Sequence, residues 1–221
     1  MVRKLIFILV LASLTAGCGQ SRPVEQGTSG SRPDDAAAFL QRGNAYFEKG
    51  DWDKAIAEYD QAIQLWPGFA DAYSNRGSTY HNKGDYDQAI ADFDKAIQIK
   101  PDEAALYNKR GYAYYGKSDY DRAITDYDRA IQVQPDYDPA YSNRGLAYYG
   151  KGDYERAIAD YDRAILLQPD NAILYLVRSL VLTEQGRKTE GIADLKKCLE
   201  LSSDPELRQA AQQALNELGA E

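Results

Sequence analysis

Residues 104–137 read AALYNKRGYAYYGKSDYDRAITDYDRAIQVQPDY, and residues 138–171 read DPAYSNRGLAYYGKGDYERAIADYDRAILLQPDN. Laid over one another, the two stretches agree in the size and charge of most side chains. The same 34-residue text precedes them at 36–69 and 70–103, so Pro67, Pro101, Pro135 and Pro169 are evenly spaced. With proline at place 32, place 8 is Gly43, Gly77, Gly111 and Gly145, and place 11 is Tyr46, Tyr80, Tyr114 and Tyr148. Places 20 and 27 are alanine in all four copies, and place 24 is Tyr59, Phe93, Tyr127 and Tyr161. A fixed period of this length marks an array of stacked supersecondary units.

Each copy carries two helical patterns. Tyr141, Gly145 and Tyr148 stand at i, i+4 and i+7 on one helix face, and Ala157, Tyr161 and Ala164 do the same on a second. The small residues let two backbones approach, and the rings fill the space between them. Gly50, Gly84 and Gly152 end the first helices, where a left-handed residue is needed. Ser118 holds that place in the third copy and predicts a slightly strained turn. Asp51, Asp85, Asp119 and Asp153 follow as expected caps of the second helices. A degenerate fifth copy, 172–205, keeps the size classes with Ser179, Leu182, Gly191, Leu195 and Cys198. Past it, Asp204-Pro205 and the stripe Leu207, Ala211, Leu215 and Leu218 predict a capping helix in 206–221.

The repeated Gly/Tyr/Ala/Tyr/Ala/Pro signature resembles the tetratricopeptide repeat (TPR) family over about three quarters of the chain. The resemblance implies an all-α fold: an α-solenoid of helix–turn–helix TPR units, four regular and one degenerate (36–69, 70–103, 104–137, 138–171 and 172–205), closed by the C-terminal helix. It also implies a concave groove lined by places 2, 5, 6, 9, 12 and 34.

The N-terminus reads as an address. Arg3 and Lys4 precede the apolar and small run Leu5–Leu14, too short for a bilayer-spanning helix, and Leu14-Thr15-Ala16-Gly17-Cys18 follows. Residues 1–17 are therefore expected to be a signal peptide. Its end resembles the bacterial lipoprotein cleavage box, with Thr15 where that box usually has an aliphatic residue. That resemblance implies lipidation of Cys18, and Gly19 after it implies an outer-membrane anchor facing the periplasm. Residues 18–35 read as the lipidated cysteine and a flexible tether, rich in Gly, Ser and Pro. The membrane is expected to be reached through lipid alone.

Composition excludes several functions. Loss of Arg3 and Lys4 takes the formal net charge from −8 to about −10, and no basic cluster stands out, which argues against nucleic acid. Of two cysteines, Cys18 is committed to lipid and Cys198 fills an alanine place, so no disulfide is expected. The single histidine, His81, reads as a solvated groove residue. No metal-ligand spacing, phosphate loop or nucleophile elbow occurs, so no catalytic residue, metal, cofactor or small-molecule substrate is expected, and the chain does not read as an enzyme.

Two polar and aromatic patterns remain. Place 7 is Arg42, Arg76, Arg110, Arg144 and Arg178, where TPR units usually carry an aliphatic residue. Either these form an anion-binding stripe or they pair internally. Place 23 is always acidic (Glu58, Asp92, Asp126, Asp160, Asp194), whereas place 25 becomes Lys196 in the fifth copy while Arg178 survives. Structural pairs Arg76–Asp92, Arg110–Asp126 and Arg144–Asp160 are therefore expected within single repeats. Of 18 tyrosines, fourteen fill places 4, 11, 17 and 24, and the four others, Tyr112, Tyr115, Tyr137 and Tyr149, fall on the groove places that the resemblance implies. Phe47, Phe69, Leu146 and Leu176 join them, with Asn75 and Asn143 at place 6 placed to bond a peptide backbone. These rings either receive a partner or cover short side chains. The lysine–asparagine carboxylate clamp of some TPR domains is incomplete, because Leu40 and Ala105 replace two lysines. The expected function is a lipid-anchored adaptor that binds peptide segments or helices of envelope proteins. The alternative is a permanent structural subunit of an outer-membrane or pilus-assembly complex.

Overall fold

The computed structural model describes residues 32–220; the signal segment and Cys18 lie outside the described residues. Among the described residues, the regular elements are eleven α-helices. Repeat 1 is built from α1 (Arg32–Glu48) and α2 (Trp52–Leu65), repeat 2 from α3 (Ala70–Lys83) and α4 (Tyr86–Ile99), and repeat 3 from α5 (Ala104–Gly116) and α6 (Tyr120–Val133). Repeat 4 holds α7 (Asp138–Gly150) and α8 (Tyr154–Leu167), repeat 5 holds α9 (Ala172–Glu184) and α10 (Lys188–Leu201), and α11 (Pro205–Glu217) follows. Packing divides these residues into two compact parts, one ending at Pro135 and one beginning at Asp136.

The chain turns helical four residues earlier than the composition of 18–35 suggests. Pro33 sits in the first turn of α1, where its missing N–H costs nothing, and Asp34 and Asp35 face the positive end of the helix dipole. Arg32 through Asp35 therefore belong to the first repeat and not to a tether.

Within each of the four regular repeats the two helices meet where place 8 faces the ring at place 24. A Cβ on Gly111 would stand 2.8 Å from Cε1 of Tyr127 and 3.1 Å from the carbonyl oxygen of Ala123. Tyr59, Phe93, Tyr127 and Tyr161 are all sealed from solvent, and for Phe93 this contributes roughly 2–3 kcal/mol. In repeat 5 the small residue changes helix. Ser179 takes place 8, and Gly191 replaces alanine at place 20, where a Cβ would lie 3.0 Å from the Ser179 carbonyl oxygen. Close approach survives because one methyl is removed as another side chain is added. In the second compact part, Leu207, Ala210, Ala211 and Leu215 of α11 close the core formed with Leu176, Val181, Leu195 and Cys198. Burial pushes the Cys198 thiol up to about 11 and leaves it inert.

The turns repeat with one exception. Gly50, Gly84, Gly152 and Gly186 have positive φ, and so does Ser118, at 60°. The Ser118 N–H donates to the Tyr115 carbonyl at 2.8 Å and the Asp119 N–H to that of Tyr114 at 2.9 Å, a Schellman ending that fixes the serine in the left-handed region. Of the expected aspartate caps, Asp119 and Asp153 accept from the N–H of Arg122 and Arg156, both at 3.2 Å. The guanidinium of the same arginine steadies each carboxylate. Asp51 makes no cap bond and turns instead to the Lys54 amine at 2.6 Å, and Asp85, followed by Gln88, makes no cap bond either.

Ser118→Gly should raise stability by about 0.5–1 kcal/mol, because relief of the left-handed conformation outweighs the added freedom of the unfolded chain. The measurement is the denaturant midpoint at unchanged slope. A midpoint that stays put or falls would show the turn to be unstrained.

Candidate partner-binding surface

The arginine seam comes first, because it fixes the first helices that carry the candidate surface. In repeat 2, Arg76 Nε donates to Asp92 Oδ2 at 2.8 Å and Nη2 to Oδ1 at 2.6 Å. Arg110 meets Asp126 at 2.8 and 2.6 Å, Arg144 meets Asp160 at 2.9 and 2.7 Å, and Arg178 meets Asp194 at 2.8 and 2.7 Å. Each is a two-pronged fork onto a buried carboxylate. Burial pushes the Asp92 and Asp126 carboxyls up, the facing arginine opposes this, and the bonds in turn raise Arg76 and Arg110 above their ordinary range.

Place 25 has a part that the reading from Lys196 missed. Arg76 Nη1 reaches Asp60, Arg110 Nη1 reaches Asp94, and Arg178 Nη1 reaches Asp162, in each case the place-25 acid of the preceding repeat. The place-25 side chain serves the next repeat, so at the last repeat no following arginine needs it. Lys196 marks the end of the array and is no argument against the pairing.

The expected groove residues do not form one open surface. Phe47, Asn75, Tyr112, Tyr137 and Tyr149 are half-buried, whereas Tyr115, Asn143 and Leu146 are buried, as are Phe69 and Leu176. Within each compact part, neighbouring first helices touch at some of these places. Asn75 Nδ2 of α3 donates to Asn44 Oδ1 of α1 at 2.8 Å, and the same oxygen accepts from Tyr59 at 2.8 Å. Lys109 of α5 donates to Ser74 Oγ of α3 at 2.9 Å. Asn75 thus holds its neighbour at the place expected to serve a peptide. Within the second part, Tyr149 Oη donates to Glu184 of α9 at 3.0 Å.

What the first part does present is a continuous run of rings along its turn edge. His81 stacks on Tyr112 at 4.6 Å and meets Tyr86 edge-on at 5.2 Å. Tyr112 lies parallel to Tyr115 at 6.3 Å, and Tyr115 meets Tyr120 at 5.5 Å. Phe47 and Trp52 form the same kind of pair in repeat 1, at 5.1 Å. Places 12 and 17 are thus aromatic in all four regular repeats: Phe47–Trp52, His81–Tyr86, Tyr115–Tyr120 and Tyr149–Tyr154. The tyrosine sorting splits this rail: Phe47 and His81 are assigned to the groove, but place 17 reads as scaffold. The signal was present as a ring of some kind at place 12 in every regular copy. His81 is accordingly half-buried among rings and not fully solvated, and burial lowers its pKa below the ordinary 6.5. Among the described residues, no group of three His, Cys, Asp or Glu side chains could hold a metal ion.

Two outcomes follow from this geometry. Arg110→Ala should cost about 2–4 kcal/mol, since it strands the buried Asp126, while Lys109→Ala should cost less than about 1. A double-mutant cycle should show Arg110 coupled both to Asp126 and to Asp94; additivity with either would remove that contact from the seam. His81, the chain's single histidine, should give one imidazole NMR titration with a midpoint below 6.5. Unfolding frees the ring to take up a proton at higher pH than the folded state allows. The stability that His81 contributes is therefore full above about 6.5 and is lost as pH falls toward the lower folded value. Wild type should lose more stability over that window than His81→Phe.

With this geometry in hand, comparison with known proteins identifies the architecture. A sequence profile described as TPR repeat matches residues 43–84, and profiles described as tetratricopeptide repeat match 70–103, 110–181 and 172–205. No match was found among curated protein sequences. Of solved structures, the MamA protein is 26% identical at a TM-score of 0.65, covering 81% of this chain and 95% of that one. PilW, a widely conserved type IV pilus biogenesis factor, is 21% identical at a TM-score of 0.73, covering 83% and 86%. YrrB, a TPR protein with an unusual peptide-binding site, is 20% identical at a TM-score of 0.61, covering 81% and 93%. Four profile matches between residues 43 and 205, over five helix–turn–helix pairs, leave one conclusion: the chain belongs to the tetratricopeptide repeat family.

Proposed function

We propose that this TPR protein is a lipid-anchored scaffold that holds segments of envelope proteins at the outer membrane, on its periplasmic side. The observation that carries the binding half is the run of half-buried rings from Tyr86 through His81 and Tyr112, aromatic surface of the kind that anchors protein partners. Peptide binding by YrrB and pilus biogenesis by PilW, proteins of the same fold, are in keeping with it. Cys18 after the short apolar run supports the anchor, and no helix among the described residues is long and apolar enough to cross a membrane. The second reading, a permanent subunit of an outer-membrane or pilus-assembly complex, shares the anchor and differs in the lifetime of its contacts.

Cys18→Ser should release the chain from membranes into the soluble fraction after lysis; a variant that resists alkaline wash would remove the lipid anchor. For the binding half, a photocrosslinking residue at position 112 should capture a polypeptide in intact cells. The same residue at Leu166, which is 69% exposed on α8, should not. Equal capture from both positions would overturn the assignment of binding to this ring edge. Partners that dissociate under mild washing mark an adaptor, and partners that persist mark a core subunit.

A further inference from the structure

In three of the four regular repeats, a base at place 19 is clasped between the ring at place 11 and the carboxylate at place 16. Arg122 lies 4.5 Å over Tyr114 and donates to Asp119 at 2.6 Å, and Arg156 lies 4.5 Å over Tyr148 and donates to Asp153 at 2.5 Å. Lys54 lies 5.5 Å from Tyr46 and donates to Asp51 at 2.6 Å. Repeat 2 keeps the ring, Tyr80, and the carboxylate, Asp85, but has Gln88 in the place of the base. The nearby Lys83 gives its ion pair to Asp53, at 2.5 Å, and acts on Asp85 and Tyr80 only through longer-range charge. Among the described residues, Asp85 is exposed and no ion pair reaches it.

We propose that Tyr80 and Asp85 form a cradle for a cationic side chain supplied in trans, and that the segment docking on this edge presents an arginine or lysine there. A ring face beside a carboxylate attracts such a group twice, through the ring quadrupole and through charge. The surroundings suit a polypeptide and not a free ion. His81 and Tyr86 are the sequence neighbours of Tyr80 and Asp85, Tyr112 continues the ring surface, and Asp53 and Asp87, each paired with one lysine (Lys83 and Lys117), keep side chains that are 86% and 85% exposed. The chain's net charge of −8 favours a basic partner over the whole approach. This inference rests on the protein-binding reading and names the chemistry of its partner.

The test uses the full chain and a fluorescein-labelled nonapeptide of alternating arginine and serine. Its control is the same peptide with citrulline, which keeps the shape and loses the charge. The arginine peptide should bind at least tenfold more tightly by fluorescence anisotropy. Gln88→Arg restores the residue that repeats 3 and 4 carry, so it should fold normally while filling the cradle from within, and it should weaken the arginine peptide at least tenfold. Asp85→Asn should do the same, whereas Asp102→Asn, an equal charge change at an exposed loop position, should leave the affinity unchanged. Equal binding of the citrulline peptide, undiminished binding by Gln88→Arg, or an equal loss with Asp102→Asn would each overturn the cradle. Crosslinking from position 112 separates the two levels. Capture by wild type that persists in Gln88→Arg removes the cradle and leaves the scaffold, while absence of capture by wild type removes the scaffold reading itself.

Discussion

The fold depends on one steric condition: the two helices of each repeat must approach so closely that one of them carries no side chain at the contact, and in the four regular repeats a large ring on the second helix fills that space. Gly111 against Tyr127 states the condition most plainly, with too little room for a single added methyl. Repeat 5 shows that the condition concerns space and not residue identity. There the glycine moves to the other helix, as Gly191, and a serine is accepted at place 8. Once the two backbones are this close, the remaining places follow. Residues beside the contact are buried with it, and the polar ones among them require partners.

The arginine seam answers that requirement. Asp92, Asp126, Asp160 and Asp194 lie beside the contact and are 4–6% exposed, so each would be costly without the fork that faces it. The same guanidinium has a third direction left over, which reaches the preceding repeat in Arg76, Arg110 and Arg178. One side chain therefore closes a repeat and ties it to its neighbour. Stability in such an array is a sum of repeat and interface terms, and the seam contributes to both.

The fold was legible because its determinants are periodic: a glycine, two alanines and a ring recur often enough to be aligned by eye. The acid at place 23 was legible for the same reason, being charged in all five copies. The acid at place 25 was not, because its role crosses a repeat boundary and the last copy departs from the rule where no neighbour follows. The candidate surface was legible only in part. Tyr112 was picked out by its place, but the burial of Tyr115 and Leu146 depends on the distance between packed helices. That distance is set by contacts such as Asn75 with Asn44, which link separate repeats and leave no spacing signal within one. His81 was misjudged because its neighbours, Tyr86 and Tyr112, lie across a turn and across a repeat boundary.

The seam also bears on how such a chain acquires its length. Arg76, Arg110 and Arg178 each find one acid in their own repeat and another in the repeat before, so a duplicated block of 34 residues brings the acid and the base of such a junction with it. Only the ends need editing. Arg42, in the first described repeat, pairs with Glu58, lies over the Phe39 ring, and is the most exposed of the arginines whose ion pairs define the seam, at 52%. At the other end the acid has become Lys196, and a helix begun by Asp204 and Pro205 covers the last core. Tandem duplication within the gene could lengthen or shorten the array between these two termini without creating a buried charge, so the number of repeats is free to drift while the chemistry of each junction is not.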